Sequence, residues 1–199
     1  MERHTDITST ADDSQLISSI LSGHIDKFCL LAARYAPHVQ QLVECMISQV
    51  EDVEDVTQDT LMAAYESLPN YDSRRASFKT WLLRIAYHTA LKRLRSESRM
   101  RFVEVEQTLL DAIPDQEADK LLSDTSPDRL QLLDQAISQL SIDDQMLLSL
   151  YYHDDRSLRE IAYIVNRTDS YLRSRLQWLR KKLCNSIITL ESHGNKQEI

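Results

Sequence analysis

The sequence predicts an all-α protein of two small helical domains joined by an acidic linker. Three observations lead to this fold class. The 199 residues include only two Gly and four Pro, so strong breakers of helical structure are rare. Apolar residues recur three and four positions apart, the spacing of an amphipathic helix. Residues 102–128 hold eight acidic residues against the single Lys120, without a sustained apolar stripe, which predicts a linker.

The first domain is predicted over residues 14–100 and should contain four helices. Apolar residues at helical spacing begin soon after a polar N-terminus. Gly23 ends the first helix, and Pro37 starts or bends the second. The turn sequence Leu-Pro-Asn-Tyr-Asp separates the next two helices. Their expected bounds are residues 52–68 and 77–98.

The second domain is predicted over residues 128–190, after a linker of residues 101–127. Its helices are expected near residues 127–140, 142–152, 157–165 and 169–190. Ser157 and Glu160 form a capping box, because the hydroxyl can cap the first turn while the carboxylate reaches back. Asn166 marks the turn between the last two helices, since Asn tolerates a left-handed backbone.

A sharp change of charge divides the first domain. Residues 51–72 contain seven acidic residues and no Lys or Arg, whereas residues 74–101 contain nine basic residues and one acidic residue. A basic, aromatic helix favours an anionic partner with flat faces, such as nucleic acid. An acidic helix favours a basic partner instead, and the net charge of −8 argues against a uniformly basic DNA coat. The sequence therefore predicts an adaptor with two partners.

The long basic helix separates into two sides when it is wound at about 100° per residue. Its core stripe is expected to contain Leu83, Ala86, Tyr87, Ala90 and Leu94. The opposite side is expected to carry Trp81, Arg84, His88, Lys92 and Arg95. An exposed Trp among cations favours unpaired strands, because cations hold phosphates while aromatic rings stack on bases. Scattered surface charge around a half-buried Trp is the alternative.

The preceding acidic helix also separates into a core side and an outer side. Its core side is expected to contain Val53, Val56, Ala64 and Leu68. Its outer side is expected to carry Asp55, Gln58, Asp59, Met62, Tyr65 and Glu66. Met and Tyr at the centre of an acidic surface are typical of a protein interface, although plain solvated charge remains the alternative.

The last two predicted helices have the pattern of a helix-turn-helix motif. The buried stripe of the final helix is expected to contain Leu172, Leu176, Leu179 and Leu183. Its exposed face centres on Ser170, Ser174, Gln177 and Lys181, with Trp178 beside them and Arg173, Arg175, Arg180 and Lys182 flanking. Short polar groups can face base edges while the flanking cations reach the backbones of a major groove. A plain helical hairpin with a basic exterior is the alternative.

Catalytic and metal-binding patterns are missing from the sequence. The three cysteines are far apart and form no CxxC motif, which disfavours a disulfide framework or a zinc site and favours a reducing cytoplasm. The segment His153-Asp154-Asp155 lacks a third spaced ligand. No phosphate-binding Gly loop, nucleophile elbow or HExxH motif occurs. We therefore expect no cofactor, no metal and no enzymatic activity, and the lack of a signal peptide or long apolar run predicts a protein that is not exported.

Two parts of the chain resemble a known family. The stretches 52–61 and 76–86 closely resemble region 2 of bacterial sigma factors, in the small extracytoplasmic-function (ECF) group of the sigma-70 family. The stretch 158–162, together with 174–176 and 180–183, is similar to region 4 of the same family. The resemblance covers about residues 14–100 and 128–190. The chain departs from the family at His88, where Asn is common, and at Lys92, where Asp is common.

The resemblance implies an alternative sigma factor that binds core RNA polymerase, recognises promoter DNA and assists promoter melting without hydrolysing nucleotide. Contacts to the polymerase β′ clamp are implied for Asp55, Gln58, Asp59, Met62 and Tyr65. Contacts to the minus-ten element, with an extruded base near residues 75–78, are implied for Arg74, Arg75, Ser77, Phe78, Lys79, Trp81, Arg84, His88, Lys92 and Arg95. Contacts to the minus-thirty-five element are implied for Ser170, Tyr171, Arg173, Ser174, Arg175, Gln177, Trp178 and Lys181.

Further partners implied by the resemblance are the polymerase β flap and an anti-sigma factor, with the acidic linker in basic channels of the polymerase. Two other classes of protein stay open from the residues alone. One is a stand-alone helix-turn-helix regulator that binds duplex DNA without polymerase. The other is a degenerate sigma-like factor that occupies polymerase without initiating. The acidic helix favours a sigma factor over a simple repressor, which has no need of such a surface.

Overall fold

The computed structural model describes residues 12–96 and 126–194, in which every regular element is helical. This confirms the predicted all-α class. The described residues divide into two compact units, with residues 12–96 in the first and most of residues 126–194 in the second. The predicted linker of residues 101–127 lies almost wholly outside the described residues. Within the described ranges, no helix has the length and apolar character needed to cross a membrane.

Residues 12–96 of the first unit form four α-helices. They are α1 (Asp13–Leu21), α2 (Phe28–Glu44), α3 (Val50–Ser67) and α4 (Phe78–Ser96). Helices α2, α3 and α4 pack on one another, and α1 packs against α2. Leu31 of α2, Val56 of α3 and Leu82 of α4 are each at most 2% exposed, so the core lies where these three helices meet.

The helix ends of the first unit follow from local sequence. Gly23 adopts φ 107° just after α1, a left-handed conformation that costs Gly little and other residues more. Pro37 lies inside α2 rather than at its start, because the helix already begins at Phe28. The predicted helix of residues 52–68 is observed as α3, which a short 3-10 turn over Leu68–Asn70 follows.

The described residues of the second unit also form four α-helices. They are α5 (Pro127–Ser138), α6 (Ile142–Leu148), α7 (Leu158–Val165) and α8 (Asp169–Gly194). Helix α8 packs along α5 and contacts α6. The helix predicted over residues 142–152 is shorter than expected, because a π-helical turn over Ser149–His153 follows α6.

The boundaries of α7 confirm two predictions. The N–H of Glu160 donates to Ser157 Oγ at 3.3 Å, and the N–H of Ser157 donates to Glu160 Oε2 at 3.1 Å, which is the predicted capping box. Asn166 adopts φ 56°, the left-handed conformation expected in the turn before α8. Asp155 also adopts a positive φ, of 50°, which was not predicted.

Candidate protein and nucleic-acid interfaces

The two sides of α3 are as predicted. Its predicted core residues Val53, Val56, Ala64 and Leu68 are all buried. Its predicted outer residues Asp55, Gln58, Asp59, Met62, Tyr65 and Glu66 are all exposed. Among these, the two large apolar side chains stand well out of the surface, at 56% exposure for Met62 and 40% for Tyr65. An apolar centre with an acidic rim is thus available to a basic partner.

Helix α2 extends this apolar centre. The ring of Phe28 lies edge-on to the ring of Tyr65, with centroids 5.2 Å apart. Phe28 is half-buried, so its contact fixes one side of Tyr65 while the rest of that ring stays accessible. Sequence reasoning missed Phe28, because winding one helix does not reveal a neighbour contributed by another.

A groove of about 710 Å³ runs between α3 and α4. On the α3 side it is lined by outer residues that include Asp55, Asp59 and Met62, and on the α4 side by Lys92 and Arg93. The structure therefore places Lys92, predicted on the nucleic-acid face, beside the acidic face as well. In the same region, Arg93 of α4 forms an ion pair of 2.5 Å with Asp52 of α3.

The predicted exposure of Trp81 is wrong. Trp81 is 9% exposed and Phe78 is 3% exposed, because both rings belong to an aromatic cluster of the first unit. Tyr71 lies 5.2 Å from Trp81 and 5.7 Å from Phe78 between ring centroids, and Tyr35 of α2 lies 5.3 Å from Phe78. In this structure the two rings of α4 form part of the core and offer no open stacking surface.

A polar network behind the cluster ties α1 to α2. The Tyr35 hydroxyl donates to the Asp13 carboxylate, and Arg34 Nη1 donates to Asp13 Oδ1 at 2.5 Å. Burial, with a further contribution from the Asp13 carboxylate, raises the pKa of Tyr35 to about 12. Tyr35 therefore stays protonated at neutral pH and supports the cluster as a hydrogen-bond donor.

Most of the basic candidates of the loop and α4 do lie at the surface. The exposed candidates are Arg74, Arg75, Ser77, His88, Lys92 and Arg95, and the half-buried ones are Lys79 and Arg84. Ser77 also has a structural role, because its Oγ accepts the N–H of Thr80 at 3.2 Å. Partial desolvation, followed by the charges of Arg84 and Arg95, lowers the pKa of His88, so this residue is a weaker cation than its neighbours.

Helix α8 has the predicted apolar stripe and a polar outer face. Its four stripe residues Leu172, Leu176, Leu179 and Leu183 are all buried. The exposed candidates are Ser170, Tyr171, Arg173, Ser174 and Gln177, and Lys181 is half-buried. These exposed residues lie in the N-terminal half of the helix, the part that reads base edges in helix-turn-helix proteins.

Arg175 does not lie at the surface as predicted. Its Nε and Nη2 donate to Asp144 Oδ1 and Oδ2, each at 2.7 Å. The pair joins α8 to α6 and is buried, with side-chain exposures of 11% for Arg175 and 5% for Asp144. Ser141 Oγ donates to the same carboxylate at 2.7 Å. Arg175 is therefore a structural residue, and its donors point into the unit.

Trp178 is covered partly by cations of its own helix. The guanidinium carbon of Arg175 lies 4.1 Å from the ring centroid, and Lys182 Nζ lies 4.9 Å from it. Its Nε1 is buried and has no hydrogen-bond partner among the described residues. The ring is half-buried, so it offers only part of its surface to a ligand.

The described residues thus form an all-α protein that has an acidic face with an apolar centre on α3 and exposed basic side chains on α4 and α8. A family model described as Sigma-70 region 2 matches residues 31–100. The RNA polymerase sigma-H factor of Pseudomonas aeruginosa is 31% identical over 172 residues, which cover 82% of this chain and 88% of that relative. The ECF RNA polymerase sigma factor SigW of Bacillus subtilis is 27% identical over 177 residues, covering 84% of this chain and 94% of SigW.

Solved structures share the fold. CnrH, in complex with the cytosolic domain of CnrY, matches with a TM-score of 0.60 and 23% identity, covering 89% of this chain and 97% of CnrH. The sigma factor RpoE of Bartonella quintana, in complex with the anti-sigma factor NepR, matches with a TM-score of 0.56 and 19% identity, covering 80% of this chain and 96% of RpoE.

The chain belongs to the sigma-70 family of bacterial RNA polymerase sigma factors, in its ECF group. It is therefore an alternative sigma factor, which acts with core RNA polymerase on promoter DNA to initiate transcription. Sigma factors are initiation factors and not catalysts. Family membership decides against the stand-alone regulator that the residues alone left open.

Proposed function

We propose that this sigma factor binds its partners through three separate surfaces. The outer face of α3 binds the β′ clamp of core polymerase. The loop before α4 and the exposed cations of α4 bind the minus-ten element. The N-terminal half of α8 binds the minus-thirty-five element as duplex. The observation that carries this proposal is the exposed acidic face of α3, because a protein that only binds DNA has no use for it.

Charge and shape support the polymerase surface. The exposed side chains of Asp55 and Asp59 make this face repel DNA, while Met62 and Tyr65 supply apolar area. Interfaces commonly combine a central apolar patch with a polar rim. Lys92 and Arg93 form the other wall of the groove, so the partner should carry both basic and acidic residues.

Burial of the α4 aromatic rings limits how the minus-ten element can be opened. Because Phe78 and Trp81 are in the core, the exposed Arg74, Arg75 and Arg95 carry the first contacts with DNA in our proposal. Melting then follows from preferential binding of the unpaired strand, which shifts the equilibrium toward the open promoter. In this scheme the two buried rings support the loop that captures an extruded base.

The second unit reads the upstream element with fewer residues than the sequence predicted. The exposed Arg173 reaches a backbone phosphate, and the short side chains of Ser170, Ser174 and Gln177 face base edges in the proposed complex. Arg175 is excluded from this role, because its side chain is only 11% exposed and is held against Asp144 inside the unit.

The remaining parts of the proposal concern the whole protein. Residues 14–100 and 128–190 form the two functional domains, and the acidic segment 101–127 links them through basic channels of the polymerase. The β flap is a further polymerase contact. The protein carries out no reaction of its own and works in the cytoplasm, where polymerase and chromosome are found. An anti-sigma factor is the proposed regulator, since the sigma factor RpoE of Bartonella quintana, which shares this fold, is in complex with the anti-sigma factor NepR.

Run-off transcription with purified core polymerase tests this proposal, with DNA templates selected by the reconstituted holoenzyme. We expect transcripts that depend on this protein. Asp55→Arg should weaken binding to core polymerase at least tenfold, because it places a cation on an acidic docking face, and should leave DNA binding by the factor unchanged. Asp26→Arg is the matched control, since Asp26 is exposed outside α3. Strong DNA binding without core, together with no transcription in its presence, would contradict the proposal.

A further inference from the structure

A charged clasp closes the loop between α3 and α4. The guanidinium of Arg74 donates to the carboxylate of Asp72 through Nε to Oδ1 and through Nη2 to Oδ2, both at 2.9 Å. The backbone N–H of Arg74 also donates to Asp72 Oδ1, at 3.0 Å. We name this arrangement the Asp72–Arg74 clasp.

The backbone around the clasp is held by further contacts. The N–H of Arg75 donates to the carbonyl of Asp72 at 3.0 Å, which closes a turn. The hydroxyl of Tyr71 donates to the carbonyl of Ala76 at 3.1 Å, and its ring packs on the buried aromatic rings of α4. The clasp therefore has a pre-formed backbone, so that little conformational freedom is lost when a ligand binds.

The clasp uses one edge of the guanidinium and leaves another available. A guanidinium has five N–H donors in a planar fork, and only Nε and one N–H of Nη2 are directed at Asp72. The side chain of Arg74 is 87% exposed, so the edge formed by Nη1 and Nη2 is open. Two parallel donors of this kind match either the O6 and N7 atoms of guanine or two phosphate oxygens.

The charge of Asp72 decides between these two kinds of acceptor. Hydrogen bonds from Arg74 lower the pKa of Asp72 to about 2, so the carboxylate is ionised in neutral buffer. The clasp then has no net charge. A phosphate at the open edge is attracted by Arg74 and repelled by Asp72, whereas a neutral base edge meets no such repulsion. The clasp therefore favours a base over the backbone.

We propose that Asp72 is a specificity-determining residue of the minus-ten surface, which holds Arg74 to read a pair of acceptors on an exposed base and suppresses phosphate binding there. This inference rests on the function proposed for the loop and α4. The next residue supplies an internal contrast: Arg75 is exposed, and its guanidinium forms no salt bridge with any residue of the described ranges. Arg75 should therefore act as an ordinary phosphate contact.

Asp72→Asn tests the inference, because Asn keeps an oxygen that can accept the Arg74 N–H and removes the charge. The measurement is the affinity of holoenzyme for promoter and non-promoter DNA over a series of KCl concentrations. For the variant, we expect tighter binding to non-promoter DNA, weaker preference for the promoter, and a plot of log K against log salt steeper by about 0.7–0.9. That slope corresponds to roughly a further threefold loss of affinity over a fourfold rise in salt.

Three companion variants complete the experiment. Arg74→Ala should reduce promoter preference and leave the salt slope near that of the wild type, because Arg74 contacts no phosphate. Arg75→Ala should make the slope shallower by about 0.7–0.9, the change expected for one lost phosphate contact. Asp72→Asn should have no effect when Arg74 is already Ala. Thermal unfolding should be close to wild type for all of them, since an exposed ion pair contributes little to stability.

The results distinguish failure of the inference from failure of the proposed function. If Arg75→Ala lowers the slope while Asp72→Asn matches the wild type, the clasp has no role in specificity, although the minus-ten surface stands. Equal weakening of both DNAs by Asp72→Asn, with a shallower slope, would also overturn the inference, because it marks Asp72 as structural. If Arg74→Ala and Arg75→Ala both leave promoter binding and transcription unchanged, the proposed minus-ten surface is itself wrong.

Discussion

Helices α4 and α8 look alike in sequence and differ in structure. Each is long, basic on its polar side and contains one of the two Trp residues of the chain. In α4, Trp81 joins the core while the cations Lys92 and Arg95 stay exposed. In α8, Trp178 remains at the surface while Arg175 is buried against Asp144.

This difference shows that the inward face of a helix depends on what its neighbours supply. The first unit supplies aromatic rings to α4, so its Trp is covered. Helix α6 supplies a carboxylate to α8, so an Arg is covered instead. The sign of the charge on a helix therefore indicates its class of partner, whereas the individual contact residues depend on tertiary structure.

Trp81→Ala should have the largest effect on stability. Removing a buried Trp side chain costs about 3–5 kcal/mol, because the cavity left between the rings of Tyr71 and Phe78 cannot close fully. The free energy of unfolding of the first unit can be followed by circular dichroism in urea. The fluorescence of Trp178 should keep its wild-type transition, since it reports on the second unit.

The matched control for this prediction is Trp178→Ala. Its ring is half-buried, so the expected loss is only about 1 kcal/mol. Equal losses for the two variants would show that α4 and α8 do not differ in the way described.

Asp144→Ala should have the next largest effect on stability. It should lower the free energy of unfolding by about 3 kcal/mol, because it leaves the buried guanidinium of Arg175 without its partner. The second unit should unfold at a lower urea concentration than in the wild type, which circular dichroism in urea measures. Asp134→Ala is the matched control. Asp134 is exposed on α5 of the same unit, so its loss should cost less than about 0.5 kcal/mol. A cost for Asp144→Ala as small as that of the control would contradict the structural role of the pair.

Features that depend on short stretches of sequence could be predicted. The capping box of Ser157 and Glu160, the left-handed Asn166 and the end of α1 at Gly23 each depend on residues a few positions apart. The core stripes of α3, α4 and α8 follow from the period of one helix. The acidic face of α3 was predicted for the same reason, since its residues lie on the side of the helix opposite the core stripe.

Features that depend on distant residues could not be predicted in this way. The carboxylate and guanidinium of the buried pair are 31 positions apart, and each looks like an ordinary surface charge in the sequence. Tyr35 reaches Phe78 from another helix, and nothing in the spacing within α4 indicates it. The errors at Trp81 and Arg175 have this common cause.

Arg173→Ala tests whether an exposed arginine of α8 contacts DNA, in contrast to the buried Arg175. Because Arg173 is exposed, the substitution should change the free energy of unfolding little. The loss of one phosphate contact should make the plot of log K against log salt for the upstream element shallower by about 0.9. Binding of holoenzyme to duplex promoter DNA across a salt series is the measurement. Gln40→Ala, an exposed change on α2, is the control. An unchanged slope for Arg173→Ala would remove the phosphate contact from the proposal.

The smallest effect is expected at His88, where the polar face of α4 contains its weakest cation. Its pKa is lowered by partial desolvation and by Arg84 and Arg95, so folding favours the neutral imidazole. The stability gained from the neutral ring is fully present above the ordinary His pKa of about 6.5 and is lost as the pH falls below it. Asn does not titrate. The free energy of unfolding of the first unit, measured in urea, should therefore fall less for His88→Asn than for the wild type between pH 7.5 and about 5.5. Parallel pH profiles would mean that neither partial desolvation nor the neighbouring cations lower the pKa of His88.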